Sequence, residues 1–280
     1  MKENIECTRD LNVKPFLKWA GGKRQLLPEI RKILPENIEE YRYYEPFVGG
    51  GSIAYAISPN KGLCGDICEP LINLWRLIQS NYETLFEQYK LRWERLQNEG
   101  YLVFYEIRDN YNKNHDSADL FFLSRTCVNG LIRFNRNGEF NNSLHHTRKG
   151  IDPNRLKPIL ANWSERLQGV EFQKGDYWET TQNVKKGDFV YLDPPYFYTK
   201  GRYFGTIDFD RFTDYLAWLN KKNVNYALSF DGIRGDTNYM VELPKELYKR
   251  HLMLPSGNSS FKKVMDKKNE AVYESLYLNY

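Results

Sequence analysis

The sequence lacks several features that mark common functional classes. It has four cysteines, and Cys64 and Cys68 have no His or Cys partners at zinc-binding spacing, so we expect reduced thiols. No apolar run is long enough to span a bilayer, and the N-terminal residues 1–4 do not begin a secretory leader. The 280 residues contain no internal repeat or low-complexity linker. These absences predict a cytoplasmic protein, with no membrane association, of one large domain or two smaller ones.

Two nucleotide-binding signatures are also missing. Gly21-Gly22-Lys23 suggests a phosphate loop, but Leu17 and Arg24 stand where that motif requires Gly and Ser or Thr. A second glycine-rich segment, Gly49-Gly50-Gly51, does not have the spacing of a dinucleotide-binding loop. The sequence therefore favours neither a nucleoside triphosphate nor a dinucleotide.

The net charge of +4 is small, but the basic residues are clustered. Between Leu131 and Lys157 there are six basic and two acidic residues, and between Lys245 and Lys268 there are seven and two. Aromatic residues make up 15% of the chain. Basic patches combined with aromatic rings favour a polyanion with flat bases as the partner, although solvated surface charge explains either patch alone equally well.

One segment has the pattern of a cofactor site. A strand is predicted from Tyr41 to Pro46, and Phe47 and the three glycines lead from it into a helix that starts near Ile53. Asp66 ends the next apolar segment, 19 positions after Phe47. Because an acid at an offset of roughly 20 residues reaches ribose hydroxyls, the pattern predicts a nucleoside-containing cofactor.

The tetrapeptide Asp193-Pro194-Pro195-Tyr196 has the pattern of a catalytic loop. It follows a short buried strand at 189–192, and prolines do not extend a central sheet, so it is predicted to be a rigid loop beyond the strand end. Ligands of open α/β sheets bind at such ends. The Asp193 carboxylate and the Pro194 carbonyl are both able to accept hydrogen bonds from one NH2 group, and the Tyr196 ring suits a flat base.

Further elements alternate along the chain, which predicts an α/β fold. Helices are predicted over residues 24–34, 69–99, 118–129 and 208–220, together with one that opens at Asp152-Pro153, and further strands over 170–173, 226–230, 247–254 and 271–278. Asp176 lies just past the strand at 170–173. It is a candidate ligand for the cofactor's adenine, or an ordinary turn residue.

The segment from Arg133 to Asn141 has the pattern of a β-hairpin. Asn137-Gly138 is a strong hairpin-turn dipeptide, and its flanks alternate between apolar and polar residues. Arg suits guanine and Asn suits adenine in the major groove, so Arg133, Asn135, Arg136 and Asn137 are candidate DNA-binding residues. A solvated turn is the alternative.

Four segments in this order make the chain similar to the Dam-type (D12 class) DNA adenine-N6 methyltransferases: Lys18-Trp19-Ala20-Gly21-Gly22-Lys23, Glu45-Pro46-Phe47-Val48-Gly49-Gly50-Gly51, Gly138-Glu139-Phe140-Asn141 after Asn135, and Asp193-Pro194-Pro195-Tyr196. The resemblance implies the cofactor S-adenosyl-L-methionine and a Rossmann-like, seven-stranded sheet. It implies cofactor contacts at Trp19, Lys23, Phe47, Gly49, Asp66 and Asp193, and Glu45 and Asp176 are further candidate cofactor ligands.

The resemblance also implies a domain arrangement. Residues 1–72 and 165–280 are expected to form the catalytic domain, and 73–164 an inserted, mostly helical target-recognition domain that carries the hairpin. The expected partner is double-stranded DNA, and the expected oligomeric state is a monomer or weak dimer. GATC-specific members carry Arg where this chain has Asn137, so the resemblance does not specify the recognition sequence.

The expected reaction is methylation of N6 of a flipped adenine, by a restriction–modification enzyme with a separate endonuclease or by a solitary or phage methylase. Asp193, Pro194, Pro195 and Tyr196 are the expected catalytic residues, with no metal and no covalent enzyme intermediate. N4-cytosine methylation remains an alternative because the tetrapeptide does not define the base. RNA or protein-glutamine methylation, or an inactive DNA-binding module, are further alternatives.

Overall fold

A computed structural model describes residues 14–19, 21–135, 137–195, 207–235, 237–258 and 271–280 of the chain. Its strands are β1 (Arg42–Glu45), β2 (Lys61–Asp66), β3 (Val170–Lys174), β4 (Phe189–Leu192), β5 (Asn225–Arg234), β6 (Thr237–Asn238), β7 (Arg250–Asn258) and β8 (Ala271–Leu278). They form one sheet in the order β3-β2-β1-β4-β5-β8-β7, and the two-residue β6 pairs with β5. The predicted seven-stranded sheet is confirmed, with β6 as a small addition.

The order of the strands creates a crevice in the middle of the sheet. Strands β1 to β5 pair in parallel, whereas β8 and β7 are antiparallel additions beside β5. From β1 the chain moves outward to β3 and then returns to place β4 on the other side of β1. The carboxyl ends of β1 and β4 therefore flank the point where the strand order reverses, which is where open α/β sheets bind ligands.

Alternating side chains give the sheet a hydrophobic core on each face. Tyr43 and Tyr191 belong to one buried cluster, whereas Tyr44 and Val190, their neighbours in sequence, belong to the other. This is the period of two that a strand imposes. Helices α1 (Leu27–Ile33), α2 (Ser52–Ile57), α3 (Glu69–Glu99) and α6 (Pro153–Arg166) contribute to the first cluster, and α7 (Tyr177–Thr181) and α8 (Phe209–Lys221) to the second.

The long helix α3 is two helical segments joined at a kink. Asn81 has φ −159° and ψ 71°, which is outside the helical region. Its side-chain Oδ1 accepts a hydrogen bond from the Thr84 N–H at 3.0 Å, as an N-cap does at the start of a helix. The second segment leads into α4 (Leu102–Asn114) and α5 (Ser117–Thr126). Helix α4 is absent from the sequence-based prediction, although its buried residues recur at helical spacing.

The hairpin that follows α5 is shorter than predicted. Among its described residues it has a single antiparallel bridge, Phe134 to Phe140, instead of two paired strands. The side chain of Asn112 in α4 accepts from the Phe140 N–H at 2.7 Å and donates to the Phe140 carbonyl at 3.1 Å. An amide side chain thus occupies the position of a neighbouring strand, and it anchors the turn to the helices.

Candidate active site

A pocket lies at the carboxyl ends of β1 and β4, where the fold predicts a ligand. All eight residues that were predicted to contact a cofactor line it: Trp19, Lys23, Glu45, Phe47, Gly49, Asp66, Asp176 and Asp193. Pro194 and Pro195 line it as well. The predicted residues Tyr196 and Arg136 lie outside the described part of the chain. The fold thus brings together residues that are as far apart in sequence as Trp19 and Pro195.

The glycine-rich turn between β1 and α2 is held in a conformation that requires glycine. Gly49 and Gly51 have φ values of 44° and 64°, in the left-handed region. A Cβ atom on Gly51 would lie 2.6 Å from the Trp75 ring, and one on Gly49 would lie 3.0 Å from Trp19. Trp75 also donates its indole N–H to the Gly49 carbonyl at 3.1 Å. The turn is therefore fixed between two indole rings, and its glycines line the pocket.

Asp66 is the acid that lies closest to this turn. Its Oδ2 accepts from the Gly49 N–H at 3.2 Å, and its Oδ1 accepts from the Cys68 N–H at 2.9 Å. Burial raises the pKa of Asp66 to about 6, while these backbone hydrogen bonds oppose the shift. At neutral pH the group is mostly ionised, and each oxygen keeps a lone pair with which to accept a further donor, such as a sugar hydroxyl.

Asp193 faces a charged partner instead of backbone donors. Its Oδ1 lies 2.8 Å from Nζ of Lys23, and the same Nζ lies 3.0 Å from Oε2 of Glu274 in β8. The Lys23 side chain is only 3% exposed, whereas Asp193 and Glu274 are 18% and 22% exposed. Burial raises the pKa of Asp193 to about 6, Lys23 opposes the shift, and Glu274 adds to it. The aspartate is thus an ionised hydrogen-bond acceptor at neutral pH.

Glu45 joins the end of β1 to the start of α2. Its Oε2 accepts from the Tyr43 hydroxyl at 2.8 Å and from the Ala54 N–H at 3.0 Å. Burial raises the pKa of Glu45 to about 8, so the group is mostly protonated at pH 7. It adds little negative charge to the pocket, and a contact with a cofactor stays a prediction.

Asp176 lies at the far end of the pocket and caps a short helix. Its Oδ1 accepts from the Glu179 N–H at 2.9 Å, and its Oδ2 lies 2.6 Å from the guanidinium of Arg211. Burial favours a higher pKa for Asp176, but these hydrogen bonds and Arg211 outweigh it and lower the pKa. Arg211 also lies over the Tyr177 ring, which packs against Phe47 with ring centroids 5.5 Å apart. This end combines an anionic acceptor with aromatic surfaces.

Two charged residues of the pocket region are absent from the sequence-based prediction. Arg211 lies in the first turn of α8, and Glu274 lies within β8. Neither belongs to a sequence motif. Each lies far in sequence from its partner in the pocket, and only the folding of α8 and β8 brings it there. Glu274 did leave a trace in the sequence, as an acid inside the otherwise mostly apolar segment 271–278.

The predicted DNA-binding residues differ in their exposure and in how many hydrogen bonds their side chains already make. Asn135 accepts from the Asn137 and Glu139 N–H groups and donates to the Glu139 carboxylate at 2.7 Å, so it holds the turn together. Arg133 is exposed and donates to Asn141 at 2.9 Å. Asn137 is exposed at the tip of the turn.

The described ranges contain neither a membrane-spanning helix nor a group of metal-binding side chains. No helix there combines the length and the hydropathy of a bilayer span. No three His, Cys, Asp or Glu side chains in the same ranges are grouped so that they could hold a metal ion.

Comparison with known proteins assigns the chain to a family. The family model of the D12 class N6 adenine-specific DNA methyltransferases matches residues 19–257. Type II methyltransferase M.MjaIII of Methanocaldococcus jannaschii is 32% identical over 308 aligned positions, which cover 96% of this chain and 100% of that protein. DNA adenine methylase of Vibrio cholerae is 33% identical over 187 positions, 65% of each chain.

A structural comparison gives a more distant similarity. The rRNA methyltransferase AviRa of Streptomyces viridochromogenes matches 99% of this chain and 94% of that one, with a TM-score of 0.43 and 10% identity.

The sequence relatives decide a question that the tetrapeptide left open. The family acts on N6 of adenine in DNA, so the alternatives of cytosine, RNA or protein as the substrate lose their support. The order of the motifs, the position of the pocket and the match over residues 19–257 agree. The chain belongs to the D12 class of N6 adenine-specific DNA methyltransferases.

Proposed function

We propose that the methyl donor of this DNA adenine methyltransferase is S-adenosyl-L-methionine, held between the glycine-rich turn and Asp193. The observation that carries the proposal is the arrangement of acids at strand ends around a turn whose glycines line the same pocket. Asp66 would accept from the ribose hydroxyls, and Asp176 from the adenine amino group. Trp19, Phe47 and the glycines would surround the rest.

The charges of the pocket suit this donor. When bound, S-adenosyl-L-methionine supplies a methyl group attached to a positively charged sulfur. Asp193 is ionised at neutral pH and Lys23 is neutralised by two carboxylates, so the pocket does not repel a cation. The hydrogen bond from Arg211 to Asp176 leaves further lone pairs on that carboxylate for the adenine amino group.

We propose that Asp193 and the Pro194 carbonyl accept hydrogen bonds from the N6 amino group of the target adenine. The nitrogen lone pair of adenine is delocalised into the ring, and these acceptors would favour a pyramidal nitrogen whose lone pair is available. They would also stabilise the positive charge that grows on nitrogen. The Asp193 Oδ2 accepts no hydrogen bond from the described residues, which leaves it available for this role.

The target base has to leave the duplex to reach this loop. Extruding a base costs a few kcal/mol of stacking and pairing. We propose that Tyr196, next in sequence to Pro195, stacks on the flipped adenine. Arg133 and Asn137, which are exposed in the turn after α5, would read the flanking bases together with Arg136, while Asn135 supports the turn.

We propose that residues 73–164 form the target-recognition part and residues 1–72 and 165–280 the catalytic part. The relative M.MjaIII is named a type II methyltransferase, which favours a role as the modification enzyme beside a separate restriction endonuclease. The kink of α3 at Asn81 lies close to this division, and the helices beyond it carry the turn.

The donor and the target base are tested in one experiment. Labelled S-adenosyl-L-methionine is incubated with unmodified genomic DNA, and the products are identified by nucleoside analysis and modified-base sequencing. We expect N6-methyladenine in one short motif, and none with Asp193→Ala. Label in N4-methylcytosine, or normal transfer by Asp193→Ala, would contradict the proposed chemistry.

The reading role of the turn is tested by Asn137→Ala. Loss of a base contact weakens discrimination at one position by about 1–3 kcal/mol. Asn98→Ala, at an exposed position near the end of α3, is the control. If Asn137→Ala slows methylation of every sequence equally, the turn does not read bases.

A further inference from the structure

Glu274 reaches the catalytic loop because of an irregularity in the sheet. Strand β8 runs antiparallel to β5, so its first residues lie at the edge where the parallel strands end. The pairing shifts between Phe230 and Ile233 of β5, opposite Ser275 and Tyr273 of β8. Gly232 lies within this shift, and a Cβ atom there would be 1.9 Å from the Tyr273 carbonyl oxygen. The close approach of the two backbones sets the position of Glu274.

The Lys23 ammonium contacts acceptors from three parts of the chain. It lies 2.8 Å from Asp193 Oδ1 and 3.0 Å from Glu274 Oε2, and it donates to the Gly21 carbonyl at 3.3 Å. An ammonium group has three N–H donors, so it is able to hold all three of these acceptors at once. Lys23 is therefore fixed between the two carboxylates, and it fixes one oxygen of Asp193 in turn.

The number of charges in this cluster matters for the reaction. Asp193 and Lys23 alone would be a neutral pair, with little attraction for the positive charge that grows on the amino nitrogen. The second carboxylate changes this balance, because one ammonium between two carboxylates leaves one net negative charge. In a partly buried site such a charge acts at reduced dielectric screening.

We propose that Glu274 is a positioning residue for methyl transfer, which holds Lys23 in place and gives the Asp193–Lys23–Glu274 cluster its net negative charge. This inference rests on the proposed role of Asp193 as the acceptor of the target amino group. It assigns a function to a residue that lies outside all four sequence motifs.

The other titratable groups around Asp193 do not supply this charge. Glu45 is mostly protonated at pH 7 because burial raises its pKa to about 8. The hydroxyl of Tyr191 shares a hydrogen bond with Ser229 at 2.6 Å, and burial raises the pKa of Tyr191, so it stays neutral. Among the described residues, Lys23 and Glu274 are the charged groups that shift the pKa of Asp193, downward and upward respectively.

The test is the pH dependence of single-turnover methyl transfer by Glu274→Gln at saturating donor and DNA. Removal of the charge should lower the plateau rate by roughly tenfold or more, as for other preorganised electrostatic contacts. It should also shift the acid limb of the pH–rate profile, where the rate falls as the pH decreases, to lower pH. The reason is that the charge of Glu274 raises the pKa of Asp193 in the wild type. A merely structural role would lower the rate without moving the limb in this direction.

Two further variants make the result decisive. Glu274→Asp keeps the charge, so the acid limb of its pH–rate profile should stay at the wild-type pH even if its rate falls. This variant tests the inference even if Glu274→Gln does not fold. Glu106→Gln, which removes an exposed carboxylate of α4 that pairs with Arg95 of α3, should leave both the rate and the limb unchanged. An unmoved limb and a normal rate in Glu274→Gln, or a shifted limb in Glu274→Asp, would overturn the inference. Normal transfer by Asp193→Ala would instead overturn the proposed function itself.

Discussion

The two ends of the pocket hold an aspartate in different ways. At the donor end, Asp66 accepts from the N–H groups of Gly49 and Cys68. At the reacting end, Asp193 is paired with the ammonium of Lys23. Burial raises the pKa of both carboxyl groups to about 6. Burial therefore affects both aspartates similarly, but their partners differ. The backbone donors around Asp66 fix the shape of a turn, whereas the charged side chains around Asp193 adjust the pKa of a hydrogen-bond acceptor.

The largest expected effect is that of Asp193→Asn at the reacting end. The new amide places an NH2 donor where the target amino group requires an acceptor, and it removes the negative charge. We expect single-turnover transfer to fall by on the order of 10²–10³-fold or more, as for other lost electrostatic contacts. Donor affinity should change by only a few fold. A variant that keeps near-normal transfer would remove Asp193 from the mechanism.

The rigidity of the donor end is tested by Gly51→Ala. Its Cβ atom would lie 2.6 Å from the Trp75 ring in a backbone conformation with φ +64°. We expect the free energy of unfolding to fall by about 1–3 kcal/mol from overpacking, measured by denaturant titration, together with weaker donor binding. Gly187→Ala is the control, because φ is +93° there but no atom lies within 4 Å. Equal losses would show that strain, and not the contact with Trp75, fixes the turn.

Asp66→Asn should affect the donor end alone. Its NH2 group would face the Gly49 or the Cys68 N–H, donor against donor, and a buried N–H left without an acceptor costs about 1–3 kcal/mol. We expect the KM for the donor to rise about tenfold or more and kcat at saturating donor to stay within a few fold. A loss confined to kcat would assign Asp66 to the reacting end.

The smallest expected effect is the change of kcat and of the donor KM when the pH itself is varied near neutrality. A carboxyl group with a pKa of about 6 is protonated as the pH falls below 6, so kcat at saturating donor should fall roughly tenfold per pH unit there. The donor KM should rise over the same range through Asp66. In Asp66→Asn the acid limb of kcat should remain while that of KM disappears. A kcat that is independent of pH between 5 and 8 would contradict the raised pKa of Asp193.

Much of the donor end was predictable because its residues follow strand ends in the sequence. The strand at 41–46, the glycine-rich turn and Asp66 belong to one local βαβ pattern, and a local pattern can be recognised without the rest of the chain. The tetrapeptide at 193–196 is local in the same sense.

The parts that were missed depend on distant contacts. Glu274 reaches Lys23 through an antiparallel strand and a shift in its pairing, and Arg211 reaches Asp176 across two helix starts. Among the described residues the predicted hairpin has only the Phe134–Phe140 bridge, and Asn112 of α4 anchors its outer edge through Phe140. Secondary-structure propensity depends on the residues nearby in sequence, whereas these contacts join segments separated by 28 to more than 200 positions.

The most direct test of the account measures two constants for two variants side by side. Donor affinity by titration calorimetry and single-turnover methyl transfer at saturating donor are determined for Asp193→Asn and Asp66→Asn. We predict that Asp193→Asn binds the donor nearly normally and transfers almost nothing, whereas Asp66→Asn binds it weakly and transfers at a near-normal rate once saturated. If both variants lose affinity and rate in the same proportion, the two ends of the pocket do not have the separate roles assigned to them.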